Sequence, residues 1–187
     1  MKKIITFMMF AVIATSVFAQ EQGKIRGSIN IGLTAPVQGF GLCSDLQLGY
    51  NLTNNMTAGI KGGGTLMVRM PTISCMAEFA GNFLCLGTFT YFYPLGAFVL
   101  YGGIGLGAYP LWAFAEGTDN LRIDVHTKFG GMLTGGFEIG IFKMGFEYNL
   151  IPKWKKQPSA FRNIPVENTY LAATIGVRIG GGRWKKN

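Results

Sequence analysis

The sequence predicts an all-β protein, a transmembrane eight-stranded antiparallel up-and-down β-barrel. Three observations lead there. From about Gly23 to Gly180, apolar residues alternate with small or polar ones in runs of about ten residues. A strand crossing a bilayer needs roughly 9–11 residues, with one face on lipid and the other on a polar lumen. Eight such runs can be counted, and the stops between them alternate between short and long. The chain also opens with a secretory signal: Lys2 and Lys3, the apolar stretch Ile4 to Ala14, and a small-residue cleavage region, Thr15-Ser16-Val17-Phe18-Ala19.

Two segments follow from this, a signal peptide at 1–19 and a β-barrel domain at 20–187. Removing the first 19 of 187 residues leaves 168, enough for one domain, and loss of Lys2 and Lys3 lowers the formal charge from +8 to +6. Gln20 stands where a lipoprotein would carry its acylated cysteine, so anchoring must come from the fold. The basic residues are scattered singly and cluster only at Lys153-Trp154-Lys155-Lys156 and Arg183-Trp184-Lys185-Lys186. Contact with anionic lipid head groups accounts for these clusters, and nucleic acid is not expected as a partner.

The first strand sets Ile25, Gly27, Ile29, Ile31 and Leu33 on one face and Lys24, Arg26, Ser28, Asn30 and Thr34 on the other. In the second, Leu46, Leu48, Tyr50 and Leu52 point out and Asp45, Gln47 and Asn51 point in. The third places Met56, Ala58, Ile60 and Leu66 out and Thr57, Lys61 and Thr65 in. A three-residue loop, Thr53-Asn54-Asn55, then pairs Leu52 with Met56, Tyr50 with Ala58 and Leu48 with Ile60. Gln47 falls opposite Lys61, with Asp45 its diagonal neighbour, and Asn55 suits the left-handed position of such a loop.

The fourth strand carries Ala77, Phe79, Phe83, Phe89, Tyr91 and Tyr93 outward and Glu78, Asn82, Thr88 and Thr90 inward. A turn at Leu95-Gly96 returns the chain as Phe98 to Tyr109, setting Tyr93 against Phe98 and Phe89 over the bare Gly102. A turn at Gly140-Ile141 pairs Ile139 with Phe142 and Phe137 with Met144 outside, and Glu138 with Lys143 and Thr134 with Glu147 inside. The eighth strand directs Leu171, Ala173, Ile175, Val177 and Ile179 outward and Thr174 and Arg178 inward. Links near Asn54, Gly96 and Gly140 are tight, whereas 35–41, 67–75, 110–125 and 151–168 read as longer loops. Short turns belong to the periplasmic side of such barrels and long loops to the outside. The rival, a helical membrane protein through the nearly uncharged Phe83 to Phe114, conflicts with the alternation, the glycine density and Pro94.

The inward charges Arg26, Asp45, Lys61, Glu78, Glu138, Lys143, Glu147 and Arg178 read as a static lumen network, because eight strands leave little interior once side chains are placed. Tyr50, Tyr91, Tyr93, Phe98 and Phe142 form a candidate periplasmic girdle, with Tyr109, Trp112 and Trp154 at the outer rim. His126, the only histidine, lies beside Asp124 and reads as an ordinary loop or strand-edge residue, with no spaced serine to make a nucleophilic site. Cys43, Cys75 and Cys85 lack metal spacing and read as free thiols, although a Cys43–Cys75 disulfide is conceivable. No catalytic residues, cofactor or metal are expected.

The Gly-aromatic strands, such as Tyr101-Gly102-Gly103-Ile104-Gly105-Leu106-Gly107 and Gly130-Gly131-Met132-Leu133-Thr134-Gly135-Gly136-Phe137-Glu138, together with the signal and last strand, resemble the small eight-stranded outer-membrane barrels related to OmpA, OmpX and OmpW. One departure is that Gly180 to Asn187 follow Ile179, so either Trp184 supplies the terminal aromatic residue or the insertion signal is internal. The resemblance implies the cell outer membrane, outer-membrane lipids and lipopolysaccharide as surroundings, and the barrel assembly machinery as a partner. It implies a non-enzymatic role in envelope integrity or surface-loop interaction. The alternative is a narrow pore or hydrophobic-solute conduit like OmpW, and the third reading a lipid A-modifying barrel enzyme.

Overall fold

A computed structural model describes residues 21–36, 39–69, 78–96, 98–116, 121–153 and 168–182. The expected signal peptide 1–19, Cys75, Ala77, Trp154 and the tail 183–187 lie outside these residues. The chain forms eight strands: β1 (Ile25–Pro36), β2 (Gly39–Asn51), β3 (Met56–Arg69), β4 (Glu78–Leu95), β5 (Phe98–Glu116), β6 (Leu121–Ile139), β7 (Phe142–Leu150) and β8 (Tyr170–Gly180). Each is antiparallel to the next, and β8 returns to β1 to close the barrel. Closure leaves the sheet without a free edge, the condition lipid imposes on a membrane-spanning chain.

The alternating pattern sorts the side chains by face, and the sorting is inverted relative to a water-soluble core. Ile31, Leu33, Ile60, Phe83, Phe129 and Phe146 are exposed on the outside, while Arg26, Asp45, Lys61, Glu138, Glu147 and Arg178 are buried in the lumen. An apolar exterior of this extent is a surface for hydrocarbon. The lumen is not polar throughout, however. Met67, Leu84, Leu86, Tyr109, Leu111, Met132, Ile151 and Tyr170 form a buried cluster inside the barrel, on the half away from the tight turns.

Two hairpins keep the expected register. Tyr50 pairs with Ala58, Leu48 with Ile60 and Gln47 with Lys61, and the Leu52 amide donates to the Met56 carbonyl at 2.9 Å across the loop. Ile139 likewise pairs with Phe142, and Glu138 with Lys143. The β4–β5 hairpin differs by two residues: Leu95 pairs with Phe98 and Tyr93 with Leu100, so Tyr91 rather than Phe89 lies against Gly102. The cause is Gly96, whose φ of 64° suits the first position of the two-residue turn. A shift of two preserves both faces, so the inward and outward assignments are unchanged.

The long connections also need correction. The expected loop 35–41 contracts to 37–38, because β1 continues to Pro36 and β2 begins at Gly39. Most of 110–125 is strand, with the β5–β6 ladder continuing to Glu116↔Leu121. Pro110 does not end β5, because the β4–β5 ladder is interrupted opposite it, between Asn82↔Leu111 and Cys85↔Ala108, so its missing N–H breaks no pair there. Trp112 instead lies over Gly81 on the outer face, an aromatic ring covering a residue without a side chain.

The outward position of Leu48, paired with Ile60 well inside the strands, gives a depth-dependent prediction. Leu48→Arg should destabilise the folded barrel by about 2–4 kcal/mol, and Leu52→Arg, beside the turn, by about 0–1 kcal/mol. Equilibrium unfolding from lipid vesicles measures both, and equal costs would show that the apolar exterior does not meet lipid as described.

Candidate functional site: the filled lumen

The inward residues form two charged layers, each tying strands on opposite sides of the barrel. Nearer the tight turns, Arg26 of β1 is ion-paired with Glu138 of β6, and Arg178 of β8 approaches the same carboxylate at 3.7 Å. The Arg26 guanidinium also lies 4.2 Å from the centre of the Phe92 ring. Glu138 and Lys143 are directly opposite in backbone register, as the sequence implies, but their side chains do not pair. The carboxylate turns instead to the two guanidiniums, where the fork geometry of arginine supplies several donors.

In the second layer Lys61 of β3 sits between two carboxylates, 3.1 Å from Asp45 and ion-paired with Glu147 of β7. Asn30 donates an amide hydrogen to Asp45 at 2.6 Å. The Asp45–Lys61 contact is the diagonal one expected. The Glu147–Lys61 tie crosses the lumen and is not apparent from either strand alone. A further link crosses the lumen: Lys143 donates to Gln47 at 3.2 Å, and Gln47 donates to Thr88 at 3.3 Å. Of the eight expected network residues, six meet in ion pairs and Lys143 reaches Gln47. Glu78 opens β4, and its side chain lies outside the described residues.

Two tyrosines complete the filling, and neither was assigned to the lumen from the sequence. Tyr101 lies across Gly136 of β6 and Gly145 of β7, and its hydroxyl donates to the Met144 carbonyl at 3.3 Å. Tyr109, expected at the outer rim, is fully buried inside, its ring against Gly130 and its hydroxyl donating to Asn149 at 2.8 Å. The signal was present in the period-two phase, since Tyr101 and Tyr109 share the parity of the inward residues of β5. At the tight-turn end, Asn51 donates to the carbonyls of Glu21 at 3.0 Å and Gly181 at 3.1 Å, joining the entry and exit of the chain.

His126 is exposed on β6, and the side chain of Asp124 lies outside the described residues. Cys43, facing inward, and Cys85, facing outward, are free thiols. Among the described residues no group of three or more His, Cys, Asp or Glu side chains could hold a metal ion.

A closed eight-stranded antiparallel barrel with an apolar exterior and a polar, side-chain-filled interior has the fold of the small outer-membrane β-barrels. The solved structures similar to it are of that class. Neisserial surface protein A, NspA, matches with a TM-score of 0.62 at 13% identity, over 84% of this chain and 97% of that one. The outer membrane protein OprG from Pseudomonas aeruginosa matches with a TM-score of 0.57 at 12% identity, over 86% and 98%. No protein-family model and no curated protein sequence matches the chain.

Two predictions follow from the lumen geometry. A double-mutant cycle on Arg26→Met and Glu138→Gln should show coupling of about 0.5–3 kcal/mol, as for groups in contact, while one on Lys143→Met and Glu138→Gln should show far less. Reversal of that order in unfolding measurements would put the carboxylate on Lys143. Gly145→Ala, whose new methyl would strike the Tyr101 hydroxyl, should cost about 1–3 kcal/mol, and Tyr101→Leu in the same chain should recover part of it. A Gly145→Ala protein as heat-resistant as the parent would mean that the ring does not lie in the glycine groove.

Proposed function

We propose that the protein is a non-enzymatic integral outer-membrane protein, exported through the signal at 1–19, that contributes to envelope integrity and presents its outer end to a surface partner. The observation that carries this reading is the filled lumen. Arg26–Glu138, Lys61–Glu147 and Gln47–Lys143 each join walls across the barrel, and Tyr101 and the apolar cluster that includes Tyr109 pack much of the space between them. Such an interior favours a scaffold over a channel. The turns at 52–55, 96–97 and 140–141 suit the periplasmic side, and the opposite end, with the two-residue link 37–38 beside the connections 70–77, 117–120 and 151–169, suits the outside. There the surroundings are lipopolysaccharide head groups, and insertion would depend on the barrel assembly machinery.

A second reading, a conduit for small hydrophobic solutes, draws on one observation: the lumen half away from the tight turns is lined by Met67, Leu84, Leu111 and Met132. Planar bilayers and liposome uptake separate the two. The scaffold should give no steady ion conductance and no faster entry of an apolar dye, and cells lacking it should become more sensitive to detergent. Steady conductance, or dye uptake abolished by Met132→Trp, would replace the scaffold by the conduit.

A further inference from the structure

Among the described residues, the buried charges leave one cation without an ion-paired carboxylate. The lumen buries Arg26, Lys61, Lys143 and Arg178 against Asp45, Glu138 and Glu147. Glu138 is taken by Arg26 and Arg178, and Asp45 and Glu147 by Lys61. Among the described residues Lys143 hydrogen-bonds only the Gln47 side-chain carbonyl, at 3.2 Å, and lies over the face of Tyr101, 4.8 Å from the ring centre. Both partners are neutral, and Glu138 and Glu147 act on the ammonium only from beyond ion-pair distance, so its burial is incompletely compensated.

A cavity of about 10 Å³ adjoins this lysine, lined by Arg26, Ser28, Gln47, Thr57, Thr90 and Lys143, with Phe92 at its wall. Arg26 uses Nη2 for Glu138, and its Nη1 is buried without a hydrogen-bond partner. A space of this size takes a single water-sized occupant. Its lining combines two cations, an unused guanidinium N–H, the hydroxyls of Ser28 and Thr90 and the Gln47 amide, and, among the described residues, no carboxylate.

We infer that this cavity is an anion site that holds one halide-sized monovalent ion, chloride in the cell, between Arg26 and Lys143. Water would meet the hydrogen-bonding need but not the charge, and sulfate or phosphate is too large for the space. A chloride ion, slightly larger than water, fits if the flexible end of Lys143 gives way. With three buried carboxylates against four cations, the ion would complete the charge balance of the described lumen residues and lock the tight-turn half of the lumen.

The test uses the folded protein in detergent micelles at neutral pH and fixed ionic strength, exchanging gluconate for chloride or bromide. The midpoint of the heat-induced gel shift should rise saturably with either halide. In Lys143→Gln it should be independent of the anion, because the charge that needs balancing is gone. Equal midpoints in gluconate and chloride would overturn the site, showing a neutral amine beside water. Retention of the halide effect in Lys143→Gln would overturn it equally, as a nonspecific salt effect. Should that variant not fold, crystals of the parent protein grown in bromide decide the matter: an anomalous peak in the cavity supports the site, and its absence refutes it.

Discussion

The ladder between β1 and β8 is the interaction on which the rest depends. Its eleven pairs, from Arg26↔Gly180 to Pro36↔Tyr170, join the first strand to the last and remove the two edges that an open eight-stranded sheet would expose. An edge in hydrocarbon leaves a row of amide and carbonyl groups without partners, each costing several kcal/mol. Once the sheet is closed, every side chain has only two destinations, and the alternation of the sequence sends most apolar residues outward and the charged residues Arg26, Asp45, Lys61, Glu138, Glu147 and Arg178 inward.

Closure creates a second problem, since the charges sent inward lose most of their water. The lumen answers it by pairing across the barrel more than along the sheet. Arg26 reaches from β1 to β6, and Lys61 from β3 to β7. Breaking one partner of such a pair strands the other, at a cost of about 3–5 kcal/mol. The pairs therefore act as internal struts against flattening of the barrel. Tyr101 and Tyr109 do the same by shape, each starting on β5 and reaching β7 over the glycines of β6.

What could be read from the sequence was what depends on neighbours along the chain. The Thr53-Asn54-Asn55 and Gly140-Ile141 turns set their hairpins in register because each turn has only one placement consistent with its flanking pattern. The β4–β5 turn had two placements, around Leu95-Gly96 or one residue later, and both keep every side chain on its face. Periodicity cannot separate them, and the backbone conformation of Gly96 does. Cross-lumen partners were beyond reach, because strands that are not sheet neighbours meet only after closure. Lys143 appeared matched to Glu138 by the turn, and only the closed barrel brings Arg26 to that carboxylate. Tyr109 is a different case: its parity placed it inside, and its residue type suggested the rim. Parity was the better guide, since a buried hydroxyl can find a partner such as Asn149.

The groove that receives Tyr101 carries a consequence for how this chain can vary. Gly145 is bare because the Tyr101 hydroxyl occupies the space above it, whereas a side chain at Gly136 would strike the Met144 carbonyl as well as the tyrosine. A side chain at Gly145 is excluded while the tyrosine stays, and a smaller residue at 101 would leave a void between β6 and β7. Tyr101 and Gly145, 44 residues apart along the chain, therefore form one inherited unit, and homologous barrels should exchange the two together or keep both.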